Sequence, residues 1–467
     1  MKKTLKKLGA AIILLGSVNS FALPIDWSGN IGFDQNIIRD GRGTTGDCTV
    51  VGNGSECITN NNQNVRYQSL LLKLKPSIIV NDSVTVKGEV TTGTFRGAYL
   101  GQEGTGDSSY YAQSNSGSSL NFTQLYAEMY ADTALFRVGK YARSFGLGAV
   151  INNGANAWDR FFSSYEGVEA EFKLGNFKLI PALSKFDSDL DQPNGNKDAN
   201  EQSVVAMYDD SNKNLKIGIF YGVREVESNS NLYTTDISSQ ETTLIDIFFE
   251  KSWGDFKLGI EVPLISGEAG TAFTDRTNDQ DFNASAYIVE TSYQLNPRWK
   301  IGLNFGSVTG SDNDDDSHEA MYLHPNYQVA ELMFRYNREG FQTDGQNPLR
   351  SSIVNTNYAK LFAHYENDAW GWRLDFIMAN ALETAGATDD FYDHNNNSYH
   401  IANTDQKDDL GMEFDAAFDY KWSPAVIITG YAAYYQVGEF YEFTNNASEE
   451  IEAASVIATG LKVNIGF

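Results

Sequence analysis

No stretch of this chain approaches twenty uninterrupted apolar residues, so nothing in it can cross a bilayer as a single helix. Cysteine is nearly absent. The two present, Cys48 and Cys57, rule out a disulfide-dense scaffold, and they lie close together in a polar Gly/Asn-rich stretch. Their spacing predicts one disulfide closing a small surface loop, with two free thiols as the alternative. No histidine or third cysteine stands near them, which argues against zinc. Proline is scarce, at 9 of 467 residues, and no Pro/Ser-rich seam divides the chain. One domain, 23–467, is expected. Basic residues are outnumbered, 35 against 61 acidic, and the formal charge of −26 makes nucleic acid an unsuitable partner. The five histidines, His318, His324, His364, His394 and His400, have no nucleophile motif beside them, so no enzyme is expected.

What the chain does have is period two. Leu215, Ile217, Ile219, Tyr221 and Val223 alternate with Lys216, Gly218, Gly222 and Arg224. Phe256, Leu258, Ile260 and Val262 alternate with Lys257, Gly259 and Glu261, and the pattern recurs from Leu410 to Tyr420. Period two belongs to strands. Apolar-out, polar-in is the economical arrangement when lipid lies outside and water inside, and such strands have an unremarkable mean hydropathy.

Eighteen segments read as strands: 26–38, 65–80, 84–99, 120–131, 135–143, 165–175, 177–187, 202–209, 214–228, 241–253, 255–267, 282–296, 298–310, 353–367, 370–382, 409–422, 425–440 and 451–467. Short polar turns alternate with long connections between them. The expected fold is all-β, a transmembrane antiparallel barrel of 18 strands, with 16 and 20 as alternatives, and with short periplasmic turns and long extracellular loops. Residues 1–22 read as a signal peptide: Lys2, Lys3, Lys6 and Lys7, an apolar core, then Ser20-Phe21-Ala22. Subtracting those four lysines from −26 leaves a mature charge of about −30.

Six of the seven tryptophans sit where a bilayer interface would place them. Trp253, Trp299, Trp370, Trp372 and Trp422 flank short turns, and Trp27 opens the first strand; indole, apolar with one N–H, suits that boundary. The last strand puts Thr459, Leu461, Val463, Ile465 and Phe467 on one face. Its terminal aromatic resembles the C-terminal signal by which Gram-negative outer-membrane barrels are recognised by their assembly machinery. That resemblance implies the cell outer membrane as location, with lipid and lipopolysaccharide as surroundings.

The segment from Phe136 through Gly139-Lys140 to Gly146 resembles the strand that precedes the inward-folded third loop of large Gram-negative porins. In size and strand number the chain is similar to eighteen-stranded alginate-export and carboxylate-porin channels. The resemblance implies a porin passing small hydrophilic solutes or ions by passive diffusion, constricted by a loop at 144–164. Arg137, Tyr141 and Arg143 have lumen parity; Asp159 and Arg160 lie in the loop; Glu128, Glu169 and Glu171 on neighbouring strands are candidate acidic partners for a constriction, the alternative being lumen charges paired for solubility with the loop lying outside. A sugar channel with Tyr126, Tyr130, Tyr141, Tyr431 and Tyr435 as a lumen track is one alternative. A non-conducting surface barrel with the third and seventh loops in the bore is another. No plug or hatch is expected before Trp27, which excludes plugged receptors and hatch-gated transporters.

Two further features lie in the connection after residue 310. Asp312, Asp314, Asp316 and Glu319 offer alternate oxygen ligands for Ca²⁺, against the plain reading of a solvated acidic loop. Residues 321–338 are too apolar for a free loop. They are expected to fold onto the barrel mouth or to form an extra hairpin, which would raise the count to twenty.

Overall fold

The computed structural model describes residues 25–39, 65–92, 120–187, 199–227, 239–270, 280–311, 317–335, 352–393, 398–445 and 450–467, with isolated positions between. The signal segment 1–22, Cys48, Cys57, Asp312, Asp314, Asp316 and His394 lie outside the described residues.

Eighteen long strands form one antiparallel sheet. They are β1 Ile25–Arg39, β2 Val65–Asn81, β3 Val84–Thr92, β4 Leu120–Tyr130, β5 Ala134–Arg143 and β6 Ser163–Leu174. Next come β7 Phe177–Asp187, β8 Ala199–Asp210, β9 Leu215–Val226, β10 Gln240–Trp253, β11 Phe256–Gly270 and β12 Gln280–Asn296. The last six are β13 Trp299–Val308, β14 Thr356–Glu366, β15 Trp370–Asn380, β16 Asp409–Ser423, β17 Val426–Val437 and β18 Val456–Gly466. Each pairs with its neighbours in sequence, and β1 closes the ring on β18 from Asn30↔Gly466 to Arg39↔Ile457. Among the described residues closure leaves the ring without an edge strand, the condition for spanning lipid with sheet backbone. Residues 93–97 lie outside the described residues, and beyond them Ala98–Tyr99 pairs further along β2, with Leu70 and Ser69.

The hairpin turns at one end are tight. Gly254, at φ +60°, supplies the left-handed residue that the two-residue β10–β11 turn requires. Around this end Trp27, Trp253, Trp299, Trp370, Trp372 and Trp422 are all exposed on the outer surface. Phe467 exchanges backbone hydrogen bonds with Gly29, at 2.9 and 3.1 Å, and so sits in the closing seam.

The opposite boundary is marked by charge. Lys140, Glu166, Lys185, Asn200, Glu225, Glu241, Glu268 and Asp281 are successive cross-strand partners from β5 to β12. Most are exposed on the outer face. On β10 the apolar band runs from Glu241 to Trp253. At the usual rise and tilt that is roughly 30 Å, a hydrocarbon thickness. Between the two rings the outward side chains are apolar: Ile217, Ile219, Ile247, Leu303, Leu361, Leu374 and Leu461 are each exposed. With water excluded outside, the packed core lies within the bore. Its larger cluster joins Ile38, Ile288, Tyr358 and Tyr435 of the wall to Met321, Leu323, Tyr327 and Leu332.

Candidate functional site: two inward loops in the bore

Residues 144–162, called L3 below, leave β5 and turn into the lumen. Gly146 sits at φ +60°, and a Cβ there would stand 2.3 Å from Glu261 Oε2. Only glycine lets the backbone come so close. Glu261 on β11 accepts the N–H of Leu147 and, at 3.2 Å, that of Ala149. Phe145 and Ile151 of L3 are buried with Tyr141, Tyr165, Phe220 and Phe248 of the wall. At the far side of the bore Lys73 on β2 donates to the carbonyls of Gly154 (3.3 Å) and Asn156 (2.6 Å). Arg160 pairs with Asp34 Oδ2 on β1 at 3.2 Å and also donates to Ser69 Oγ. The seventh tryptophan, Trp158, stands over Gly32 inside the barrel: a Cβ on Gly32 would meet its ring at 2.8 Å.

Residues 319–335, L7 below, fill the other half. Among its described residues none forms a membrane strand, so the described ring holds eighteen strands, and the segment lies within the bore rather than as an extra hairpin. Met321, Leu323, Val329, Leu332 and Met333 are buried. The wall grips the L7 backbone with buried charge. Glu413 accepts the N–H groups of Leu332 and Met333, both at 2.7 Å; Asp415 accepts that of Glu331 at 3.0 Å. Lys360 donates to the Val329 carbonyl at 2.9 Å. Tyr327 reaches Glu290 at 2.9 Å. Burial, together with the neighbouring Tyr358 and Glu290, pushes the Tyr327 phenol well above its usual range.

Glu331 pairs with Lys462 at 3.5 Å and Arg335 at 2.5 Å. Burial alone would raise its carboxyl; the charges of Lys462, Arg335, Arg373 and Lys360 outweigh burial and hold it at about 2. The two loops also hold each other. His324 N–H donates to the Ala149 carbonyl at 2.6 Å, and the Asn326 amide donates to the Phe161 carbonyl at 2.6 Å.

Arg137 and Arg143 pair with the carboxylates of the neighbouring strands. Arg137 pairs with Glu128 at 3.0 Å and with Glu169; Arg143 pairs with Glu169 at 3.2 Å, and Lys87 with Glu128 at 2.7 Å. These strands are neighbours, so the charges neutralise one another along the wall rather than across the bore. Glu171 pairs with lysines, Lys173 at 3.5 Å and Lys178 at 3.9 Å. Asp159 accepts the Asn156 N–H at 2.9 Å within L3. Glu319 accepts from Ser317 at 3.3 Å. His364 faces the lumen and bonds Asp375 at 3.0 Å.

The five tyrosines do not make one track. Tyr431 donates to Asn36 Oδ1 at 2.5 Å and Tyr435 to the Leu410 carbonyl at 2.6 Å, both buried beneath the loops, while Tyr126 and Tyr141 pack together on β4 and β5. Sequence reasoning missed Asp34, Lys73, Glu261, Lys360, Glu413 and Asp415 as loop anchors. Their lumen parity was readable; their partners were not, because those lie 80 or more residues away for Lys73, Glu261 and Glu413.

Among solved structures the chain is similar to OccK2 (OpdF) of Pseudomonas aeruginosa, with a TM-score of 0.51, 9% identity, and coverage of 95% of this chain and 98% of that one. The fold is that of a large Gram-negative outer-membrane porin. OccAB4 of Acinetobacter baumannii matches at TM-score 0.49 and 10% identity, over 96% of this chain and 100% of that chain. OprD of P. aeruginosa matches at 0.48 and 10%, over 96% and 95%. No protein-family model and no curated protein matches the sequence. The barrel belongs in the outer membrane, its apolar band in lipid. At this identity the likeness shows architecture alone.

Proposed function

We propose that this barrel is an outer-membrane channel for small hydrophilic solutes, selective rather than freely open. The observation that carries the reading is the occupation of one bore by two loops, each held to the wall by buried charge. Solute must thread between them and the wall, so lumen width and local charge set permeability, with no covalent step. Below the loops a cavity of about 580 Å³ opens at the short-turn end, lined by Trp158, Lys300, His364, Arg373, Asp419 and Lys421. With Arg298 and Glu366 also in the lining, four basic residues face two acidic ones; Lys421 pairs with Glu366 and Arg373 with Asp419, and the remaining positive charge favours anions at that mouth.

The test is conductance of the purified full chain in planar bilayers, with reversal potential read in a salt gradient. A small, ion-selective conductance that rises when 319–335 is replaced by a short Gly-Ser link supports the reading. A large unselective conductance, unchanged by that replacement, refutes it. The continuous apolar cluster linking wall, L3 and L7 favours a second reading, a closed structural barrel. No current from the intact chain at any voltage, with heat-modifiable folding intact, would establish that one.

A further inference from the structure

A second cavity, of about 360 Å³, lies on the other side of L3, near the long-loop end of β6 to β11. Glu201, Arg224, Tyr165, Phe186, Thr242 and Ile151 line it. The wall here is in strict register, with Glu201 opposite Arg224 and Arg224 opposite Thr242. Arg224 donates to Glu201 Oε2 through Nη2 (2.7 Å) and Nε (3.3 Å), and its guanidinium stacks 4.2 Å from the Phe186 ring centroid. Glu201 is only 6% exposed, and its other oxygen, Oε1, is buried without a hydrogen-bond partner. A buried carboxylate oxygen left unmatched is costly, and the site supplies space for the donor that would satisfy it.

We infer that this cavity is a binding subsite for a neutral polyhydroxylated solute, a monosaccharide or polyol, on its way into the channel. The subsite rests on the channel reading above and names a solute class for it. The charge balance selects the class. Glu201 and Arg224 cancel, so a free carboxylate would meet the buried Glu201 and a free ammonium would meet Arg224, with Arg143 close behind, 4.8 Å from the Tyr165 ring centroid. A hydroxyl donates to Glu201 Oε1 without adding charge. Tyr165 and Phe186, edge to face at 5.6 Å, give a sugar's C–H face an apolar wall, and Ile151 closes the side toward L3. None of the five tyrosines of the expected sugar track lines this cavity.

Saturation-transfer NMR on the folded full chain in detergent tests the subsite with glucose and sorbitol, against succinate and agmatine of similar size. The same preparation in planar bilayers reports the channel separately. The expected result is saturable glucose or sorbitol binding, weakened about tenfold or more by Glu201→Gln and abolished by Thr242→Phe, which fills the cavity from the wall. Added glucose should then reduce the current of the wild type alone. Conduction without saturable polyol binding overturns the subsite and leaves the channel reading standing. Polyol binding lost in both variants, but with no current, upholds the subsite and sinks the channel. Preferential binding of succinate or agmatine overturns the solute class.

Discussion

Replacing Glu331 by glutamine should release L7 from the bore. The carboxylate is the acidic centre of a group that includes Lys462, Arg335, Arg373 and Lys360. A carboxyl held at about 2, against an ordinary 4.5, represents about 3 kcal/mol of preference for the ionised form in the seated loop. Its side chain is 20% exposed, and screening trims the figure toward about 2 kcal/mol. Glutamine keeps the shape and removes that preference, so the unseated population should rise about thirtyfold. Trypsin cleavage after Arg335 at pH 7 reads the unseated state directly, and single-channel recording reads it as longer or larger openings. The pH dependence gives an independent check. A depressed carboxyl contributes stability that is fully present above about 4.5 and is lost as pH falls toward about 2. Wild-type openings should increase through that window, and the Glu331→Gln chain should lack this component. Equal nicking and equal gating in the two proteins would refute the claim that this charge cluster seats the loop.

L3 offers parallel tests. Lys73→Met removes the donor to the Gly154 and Asn156 carbonyls and should loosen the far end of L3, seen as noisier and higher current with the barrel still heat-modifiable. Gly146→Ala forces a Cβ against Glu261 in a left-handed turn, at a cost of about 1–3 kcal/mol, and should unseat the near end; amide exchange at Leu147 and Ala149 reports it. Brominated lipid should quench a chain whose only tryptophan is any of the six girdle residues. A chain retaining Trp158 alone should resist it, because that ring lies inside over Gly32.

The barrel itself was legible because its signal is local. Each strand reports its own period, and a turn such as Gly254-Asp255 needs only its own residues to be recognised. The eighteen segments read from alternation correspond one for one to the eighteen strands of the ring. Parity likewise put Arg137, Tyr141 and Arg143 on the lumen face, since a strand's two faces alternate whatever the neighbours are.

Parity gives a side and no depth or partner, and there the sequence stops. That Arg143 meets Glu169 on the next strand, at 3.2 Å, follows from strand register. That Arg160 meets Asp34, 126 positions away, follows from where L3 crosses the lumen. The apolar run from Met321 demanded burial, and its sequence was equally compatible with a hairpin in lipid. Tertiary structure decided for the bore, because Glu413, Asp415 and Lys360 stand there to satisfy the backbone N–H and C=O groups that lipid would have left unpaired.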